Sequence, residues 1–123
     1  MRHILLVEDD PFLIDIYSTK LKESGFSVEV ASEGEEALRK IQEKKPDLLL
    51  LDIVLPQVDG WEILKNIKSQ ENLKSLKVII LSNLGQKEEV KKGISLGAVK
   101  YLIKAHFTPT QVVAEIKKVL ESS

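Results

Sequence analysis

Short apolar runs alternate along the chain with longer segments whose apolar residues recur at helical spacing. Four runs, at residues 4–7, 48–51, 78–81 and 99–103, are compact and rich in leucine or β-branched residues. Runs of this kind are typical of strands buried on both faces of a sheet. Residues 26–31 alternate apolar with polar positions instead, which predicts an edge strand that is half exposed to water.

The segments between these runs carry signals for helix ends. Asp10 and Pro11 suit the N-cap and first turn of a helix, and Gly25 suits its end. A further helix is predicted between Gln86 and Gly97, and the apolar spacing near the C-terminus predicts another. Capping-box patterns predict three helix starts, at Ser32 with Glu35, Asp59 with Glu62, and Thr108 with Gln111.

Strands and helices therefore alternate five times along 123 residues. This alternation predicts an α/β fold with a parallel sheet, right-handed crossovers and helices on both faces. The length fits one domain with a continuous core, and we assign residues 1–123 to it. In open sheets of this class, function gathers at the carboxyl ends of the strands.

The amino-acid composition excludes several classes of function. The chain has 18 Lys plus Arg and 19 Asp plus Glu, so its formal net charge is −1 and no global basic field favours nucleic acid or an anionic membrane. The absence of cysteine excludes disulfides and thiolate metal sites. The apolar run at residues 4–7 is too short for a signal sequence or a membrane span, so we expect a soluble, cytoplasmic protein.

Polar residues follow four of the predicted strands. Glu8, Asp9 and Asp10 follow the first, Asp52 the third and Lys104 the last, and Ser82 ends the fourth. A parallel sheet brings these ends to one edge, where crowded carboxylates need a hard cation and an ammonium group to offset their charge. Mg²⁺ favours such oxygen ligands and leaves room for phosphate oxygens. The pattern predicts a magnesium-assisted phosphoryl site.

The ordered motifs resemble the receiver domain of bacterial response regulators over essentially the whole chain. They are Ile4-Leu-Leu-Val-Glu8-Asp9-Asp10, Leu51-Asp52-Ile-Val54-Leu-Pro56-x-x-Asp59-Gly60, Ile80-Leu-Ser82 and Tyr101-Leu-Ile-Lys104. The resemblance implies the flavodoxin-like doubly wound (βα)5 fold with strand order 2-1-3-4-5, for which the chemotaxis member of this family is a standard example.

The same resemblance implies a role for each matching residue. Asp52 would be the phosphoacceptor, and Ser82 and Lys104 would contact the phosphoryl group. Tyr101 would be an aromatic switch that moves inward when Ser82 is drawn to phosphate. The Mg²⁺ ligands would be Glu8, Asp9, Asp52 and the backbone carbonyl of Val54.

Two positions depart from the family pattern. Proline usually follows the strand-five lysine, with a cis bond before it, but Ala105 stands here, so the isomer of the Lys104-Ala105 bond stays open. Asn83 stands where a small residue is usual. We interpret His3 and His106 as surface residues, and Trp61 as a packing or surface residue.

By resemblance, the phosphodonor would be a sensor histidine kinase or a histidine phosphotransfer protein in a two-component or phosphorelay system. The domain would be a signalling phosphoprotein that catalyses only its own phosphorylation and dephosphorylation. Its output surface, and a surface for dimerisation, would be the fourth helix, fifth strand and fifth helix. The downstream effector is a protein of unknown identity, and neither direct nucleic-acid binding nor membrane association is expected. The chain is either a stand-alone regulator or part of a larger protein.

Three other functions could use the same fold. A flavodoxin-like FMN carrier needs hydroxyl or glycine donors after the first strand, where Glu8, Asp9 and Asp10 would repel phosphate. An aspartyl phosphatase of the haloacid-dehalogenase type needs a second aspartate at position 54, which is valine. A receiver-like module that binds a partner without being phosphorylated remains the alternative, and phosphate incorporation into Asp52 separates the two.

Overall fold

A computed structural model describes residues 1–121. The last two residues of the predicted domain lie outside this range. Strands and helices alternate as expected from the sequence. The strands are β1 (His3–Val7), β2 (Ser27–Ala31), β3 (Leu48–Leu51), β4 (Lys77–Ser82) and β5 (Lys100–Ile103). The helices are α1 (Pro11–Glu23), α2 (Gly34–Glu43), α3 (Gly60–Lys68), α4 (Lys87–Ser95) and α5 (Pro109–Glu121), and a 3₁₀ turn spans Lys104–His106.

The five strands form one parallel sheet in the order β2-β1-β3-β4-β5. This confirms the predicted fold class and strand order. The register pairs Val7 with Leu51, Leu51 with Ile80, and Ser82 with Ile103. Because the strands run in step, the residues that follow them meet at one edge of the sheet.

Two apolar cores cover the two faces of the sheet. Alternate residues of β1 face opposite sides, so that Leu5 and Val7 belong to one core and Ile4 and Leu6 to the other. The second core also contains the predicted apolar stripe of α5: Val112, Val113, Ile116, Val119 and Leu120. None of the helices within residues 1–121 is long and apolar enough to cross a membrane.

Most of the predicted helix ends are confirmed. The Asp10 carboxylate accepts hydrogen bonds from the N–H groups of Phe12 and Leu13, and Gly25 takes a positive φ of 92° after α1. Asp59 accepts from the N–H of Glu62 at the start of α3. Thr108 and Gln111 form the reciprocal capping box at the start of α5, with bonds of 2.8 and 3.2 Å.

The capping box predicted at Ser32 is wrong. Helix α2 begins after Glu33, which makes no side-chain cap. The N–H of Ser32 donates to the carboxylate of Glu36, not to that of Glu35. The helix starts one residue later than the motif indicates. The side chain that reaches the N–H of Ser32 is therefore that of Glu36 and not that of Glu35.

The prediction that residues 99–103 are buried on both faces is also wrong. Val99 is 47% exposed and precedes β5, and Leu102 is the buried residue of that strand. β5 is an edge strand because the sheet ends beside it, whereas its apolar composition resembles that of a central strand. At the opposite edge, the predicted half-exposed strand β2 is confirmed.

Candidate functional site

The polar residues singled out at the strand ends lie together at one edge of the sheet. Glu8 follows β1, Asp52 follows β3 and Ser82 ends β4, and these three are the buried members, with 2%, 4% and 0% exposure. Lys104 begins the 3₁₀ turn after β5. They line an open pocket of about 360 Å³. The pocket is also lined by Asp9, Asp10, Leu13, Val54 and Asn83.

The side chain of Lys104 joins two buried carboxylates. Its Nζ lies 2.8 Å from Oδ2 of Asp52 and 2.6 Å from Oε1 of Glu8. Burial opposes the charge of the ammonium group, but the hydrogen bonds to Asp52 and Glu8 outweigh it, and the pKa of Lys104 is raised. One ammonium group therefore partly neutralises two acids that lie close together in the pocket.

The electrostatics of Glu8 differ from those of an ordinary surface acid. Burial raises its pKa, and hydrogen bonds from Lys104 and from the N–H of Asp10 act in the opposite direction. The negative charge of Asp52 adds to the upward shift. A buried carboxylate beside another carboxylate favours a cation in the same pocket.

The donor set fits a divalent metal ion. Glu8, Asp9 and Asp52 each offer a carboxylate oxygen, and these oxygens all lie within 4.8 Å of one another. Asp9 is exposed while the other two are buried, so the pocket is open on one side to water. An all-oxygen set with free positions for water suits Mg²⁺. Val54 also lines the pocket, and the role of its carbonyl as a ligand stays a prediction.

The loop after β3 is shaped by a close approach of its own backbone. The N–H of Gly60 donates to the carbonyl of Ile53 at 2.8 Å. A Cβ atom on Gly60 would lie 2.5 Å from the carbonyl oxygen of Asp52 and 2.6 Å from Cα of Ile53. Since both are backbone atoms, they could not move aside cheaply, and glycine is required for the loop to fold back on the acid-bearing segment.

A chain of hydrogen bonds leads from Ser82 to Tyr101. The N–H of Leu84 donates to Oγ of Ser82 at 3.2 Å, and the Tyr101 hydroxyl donates to the carbonyl of Leu84. Tyr101 is half-buried, and burial together with the charge of Glu89 raises the pKa of its phenol. A direct side-chain hydrogen bond with Ser82 acts on the pKa in the opposite direction. The residue predicted as a switch is therefore connected to Ser82 both directly and through Leu84.

Three further residues lie outside the pocket lining: His3, His106 and Trp61. His3 is 7% exposed and contacts Ser27 and Glu29, so its interpretation as a surface residue is wrong, whereas His106 is exposed as predicted. The pairing of β1 with the edge strand β2 covers His3, which a pattern read along one strand does not reveal. Trp61 packs against the core, and the Nζ of Lys92 lies 4.4 Å from its ring centre.

No cis peptide bond occurs within residues 1–121, so the Lys104-Ala105 bond is trans.

The family model for the response regulator receiver domain matches residues 4–117. The chain belongs to this family. The receiver domain is 39% identical over 124 residues to the alkaline phosphatase synthesis transcriptional regulatory protein PhoP of Bacillus subtilis, covering 99% of this chain but 50% of that protein. The chain thus spans about half the length of this relative.

Solved structures agree with the receiver assignment. A CheY-like receiver domain protein from Methanospirillum hungatei superposes with a TM-score of 0.91 at 29% identity, covering 99% of this chain and 95% of that one. The receiver domain of the Francisella response regulator 1452 gives a TM-score of 0.92 at 29% identity, covering 99% and 98%. The receiver domain therefore shares the complete fold of both proteins.

Proposed function

We propose that this receiver domain takes a phosphoryl group from a phosphohistidine onto Asp52 in a two-component or phosphorelay system. The observation that carries the proposal is the contact of Lys104 with Asp52 in a pocket that also holds Glu8, Asp9 and Ser82. A nucleophilic carboxylate, a fixed cation and further acids for a metal are the components that phosphoryl transfer needs.

The proposed step is an in-line displacement at phosphorus. A carboxylate oxygen of Asp52 forms a bond to phosphorus as the bond from phosphorus to the histidine nitrogen breaks. The imidazole leaves with the electron pair and takes a proton from solvent. The ammonium of Lys104, already at the carboxylate of Asp52, offsets the negative charge on the phosphoryl oxygens. The hydroxyl of Ser82 donates to one of these oxygens.

Glu8, Asp9 and Asp52 would hold Mg²⁺, with the carbonyl of Val54 as a fourth protein ligand. The ion, when bound, supplies positive charge that draws the carboxylate and phosphoryl oxygens together. In this assignment Lys104, which contacts both Glu8 and Asp52, would neutralise a phosphoryl oxygen beside the acids that hold the ion. The domain catalyses its own phosphorylation and dephosphorylation and is otherwise a signalling module, not an enzyme.

The output follows from the link between the site and Tyr101. A phosphoryl group on Asp52 adds charge and hydrogen-bond acceptors, which favours the conformation in which Ser82 and its loop lie closer to it. Tyr101 repacks with that loop and alters the surface of α4, β5 and α5. We assign to this surface the downstream protein effector and a dimer contact. The phosphodonor is a sensor histidine kinase or a histidine phosphotransfer protein, and the setting is the cytoplasm.

The proposal concerns residues 1–123 as one receiver domain. With a net charge of −1, we do not assign direct binding to nucleic acid or membrane to this domain. The Bacillus relative, a transcriptional regulatory protein, is twice its length, and the proposal is confined to the receiver domain.

Incubation with acetyl phosphate and Mg²⁺, followed by intact-mass measurement, tests the function. One added phosphoryl group is expected in the wild type and none in Asp52→Asn. Asp15→Asn, an equal change at an exposed residue of α1, serves as the control and should be labelled like the wild type. Equal labelling of Asp52→Asn would exclude Asp52 as the acceptor, and no labelling of the wild type by acetyl phosphate or a phosphohistidine donor would favour the partner-binding alternative.

A further inference from the structure

Helix α4 rests on the sheet through a residue that has no side chain. Of the residues of α4, all of which the structure describes, Gly93 alone is buried. It faces Ile80 of β4 and the ring of Tyr101 of β5. The remaining surface of α4 is largely polar, and Ile94 is 47% exposed. The distance between α4 and the sheet is therefore set by the contact of Gly93 with Ile80 and Tyr101.

The space at Gly93 is filled by its two neighbours. A Cβ atom there would lie 2.6 Å from Cδ1 of Ile80, and 2.8 and 3.1 Å from Cδ2 and Cε2 of Tyr101. Cδ1 is the far end of a flexible side chain, which can shift at lower cost than a ring even though Ile80 is fully buried. The aromatic ring is rigid and would have to move as a whole, so an added methyl group acts chiefly on Tyr101.

The position of that ring determines what its hydroxyl contacts. In the observed position the hydroxyl donates to the carbonyl of Leu84. The N–H of Leu84 in turn occupies a lone pair of Ser82 Oγ. A serine hydroxyl that accepts in this way keeps its own hydrogen for an acceptor. The phenol oxygen of Tyr101 is one acceptor within reach, and a phosphoryl oxygen in the pocket that Ser82 lines with Asp52 would be another. The ring and the pocket are thus joined by contiguous contacts.

We propose that Gly93 is a positioning residue for the phosphoryl site. Its missing side chain makes room for the ring of Tyr101, which then holds the Leu84 loop. The loop orients Ser82 with its hydroxyl hydrogen available to a phosphoryl oxygen on Asp52. The second part of this inference rests on the proposed function, whereas the first part, the placement of the ring, does not.

Gly93→Ala tests both parts, with Ser95→Ala as the matched control on the exposed side of the same helix. The control also adds an alanine to α4, so it accounts for the higher helix propensity of the variant. In metal-free protein, we expect the NMR resonances of the Tyr101 ring to shift in Gly93→Ala and to lose their contacts with Leu84. Ser95→Ala should leave them unchanged. An unmoved ring in a folded Gly93→Ala protein overturns the inference.

The second readout is the affinity for beryllofluoride in the presence of Mg²⁺, measured as a mimic of the aspartyl phosphate. We expect Gly93→Ala to weaken it by about fivefold or more, the lower end of the range for coupled sites. In a Tyr101→Ala background the same substitution should have no further effect, because the ring it displaces is gone. An unchanged affinity despite a displaced ring, or an equal loss in both backgrounds, overturns the coupling.

Companion variants keep the test decisive if Gly93→Ala does not fold. The double variant Tyr101→Ala with Gly93→Ala should then fold, because the ring that the new methyl group displaces is gone. If the double variant Ile80→Val with Gly93→Ala folds and the one with Tyr101→Ala does not, the steric conflict lies at Ile80 and the proposal is overturned. A double variant that also fails to fold would overturn it as well. Failure of the proposed function is distinguishable: the wild type would then bind no beryllofluoride, while the NMR result on the ring would stand by itself.

Discussion

The Nζ of Lys104 lies 2.8 Å from Oδ2 of Asp52, although 52 residues separate them in the chain. The same nitrogen lies 2.6 Å from Glu8. The lysine side chain is 10% exposed and those of the two acids are 6% and 2% exposed, so water screens these contacts weakly. The lysine therefore has a structural role in addition to its proposed role at the phosphoryl group.

Removing the lysine charge should destabilise the metal-free domain. Lys104→Met leaves Glu8 and Asp52 facing each other without their cation, and we expect a loss of about 3 kcal/mol, the usual cost of breaking a buried pair. Because Mg²⁺ can replace the missing charge, it should raise the melting temperature of Lys104→Met more than that of the wild type. Lys100→Met, on the surface of β5, is the control. Equal Mg²⁺ effects in all three proteins would contradict this.

The acidic cluster predicts how Mg²⁺ affinity responds to substitution. Asp9 is the exposed member of the cluster and, unlike Glu8 and Asp52, forms no ion pair with Lys104 within the described residues. Asp9→Ala should therefore lose most of the affinity, and Glu8→Ala a smaller part, because Glu8 already shares its charge with the lysine. Isothermal titration calorimetry measures both, with Asp15→Ala as a control of equal charge. Wild-type affinity in Asp9→Ala and Glu8→Ala would place the metal elsewhere.

Val54 predicts a long-lived phosphorylated state. The residue is 59% exposed and lines the pocket, where its side chain can shield the phosphoryl group but offers no hydrogen bond to an attacking water. Val54→Asn supplies such a bond and should shorten the lifetime of the phosphoprotein by about tenfold, which corresponds to about 1.4 kcal/mol in the barrier.

The decay of phosphoprotein after removal of acetyl phosphate gives this lifetime. Val54→Ala removes part of the shield without adding a donor or acceptor and is the matched control. A wild-type phosphoprotein half-life of seconds would contradict this prediction. Phosphoprotein decay in Val54→Asn that is no faster than in Val54→Ala would contradict it as well.

The contact of Lys100 with Glu115 predicts a pH dependence of stability. The hydrogen bond from Lys100 lowers the pKa of Glu115 against the opposing effect of burial, and Lys118 contributes in the same direction. A lowered folded-state pKa means that the stabilisation is complete above the ordinary value of 4.5 and is lost as pH falls through the lowered value. Glu115→Gln should therefore cost about 0.5 to 1 kcal/mol at pH 7, a small amount because Lys100 is partly exposed.

Urea unfolding at several pH values tests this. The difference between wild type and Glu115→Gln should shrink towards zero as the medium is acidified below pH 4.5. Glu121→Gln, at an exposed glutamate on the same helix, is the control for removing one carboxylate charge. A difference that persists unchanged in acid would show that Glu115 contributes through packing and not through charge.

The sequence by itself determined the order of elements, the sheet class and the identity of the acids, hydroxyl and lysine at the strand ends. Apolar runs and helix caps are local signals, and parallel strands necessarily bring their carboxyl ends to one edge. The prediction for Asp10 and Pro11 succeeded for this reason, since a cap depends on residues within one turn. The resemblance to receiver domains supplied the strand order that local signals leave open.

Tertiary structure alone decided which residues are covered and which side chains meet. The strand order left Val99 exposed and placed Lys100 at an edge, while pairing with β2 buried His3. It also brought Lys104 between two acids and placed Gly93 against the ring of Tyr101. Burial and such contacts depend on neighbours that are distant in sequence, and hydrophobic periodicity along a single segment carries no information about them.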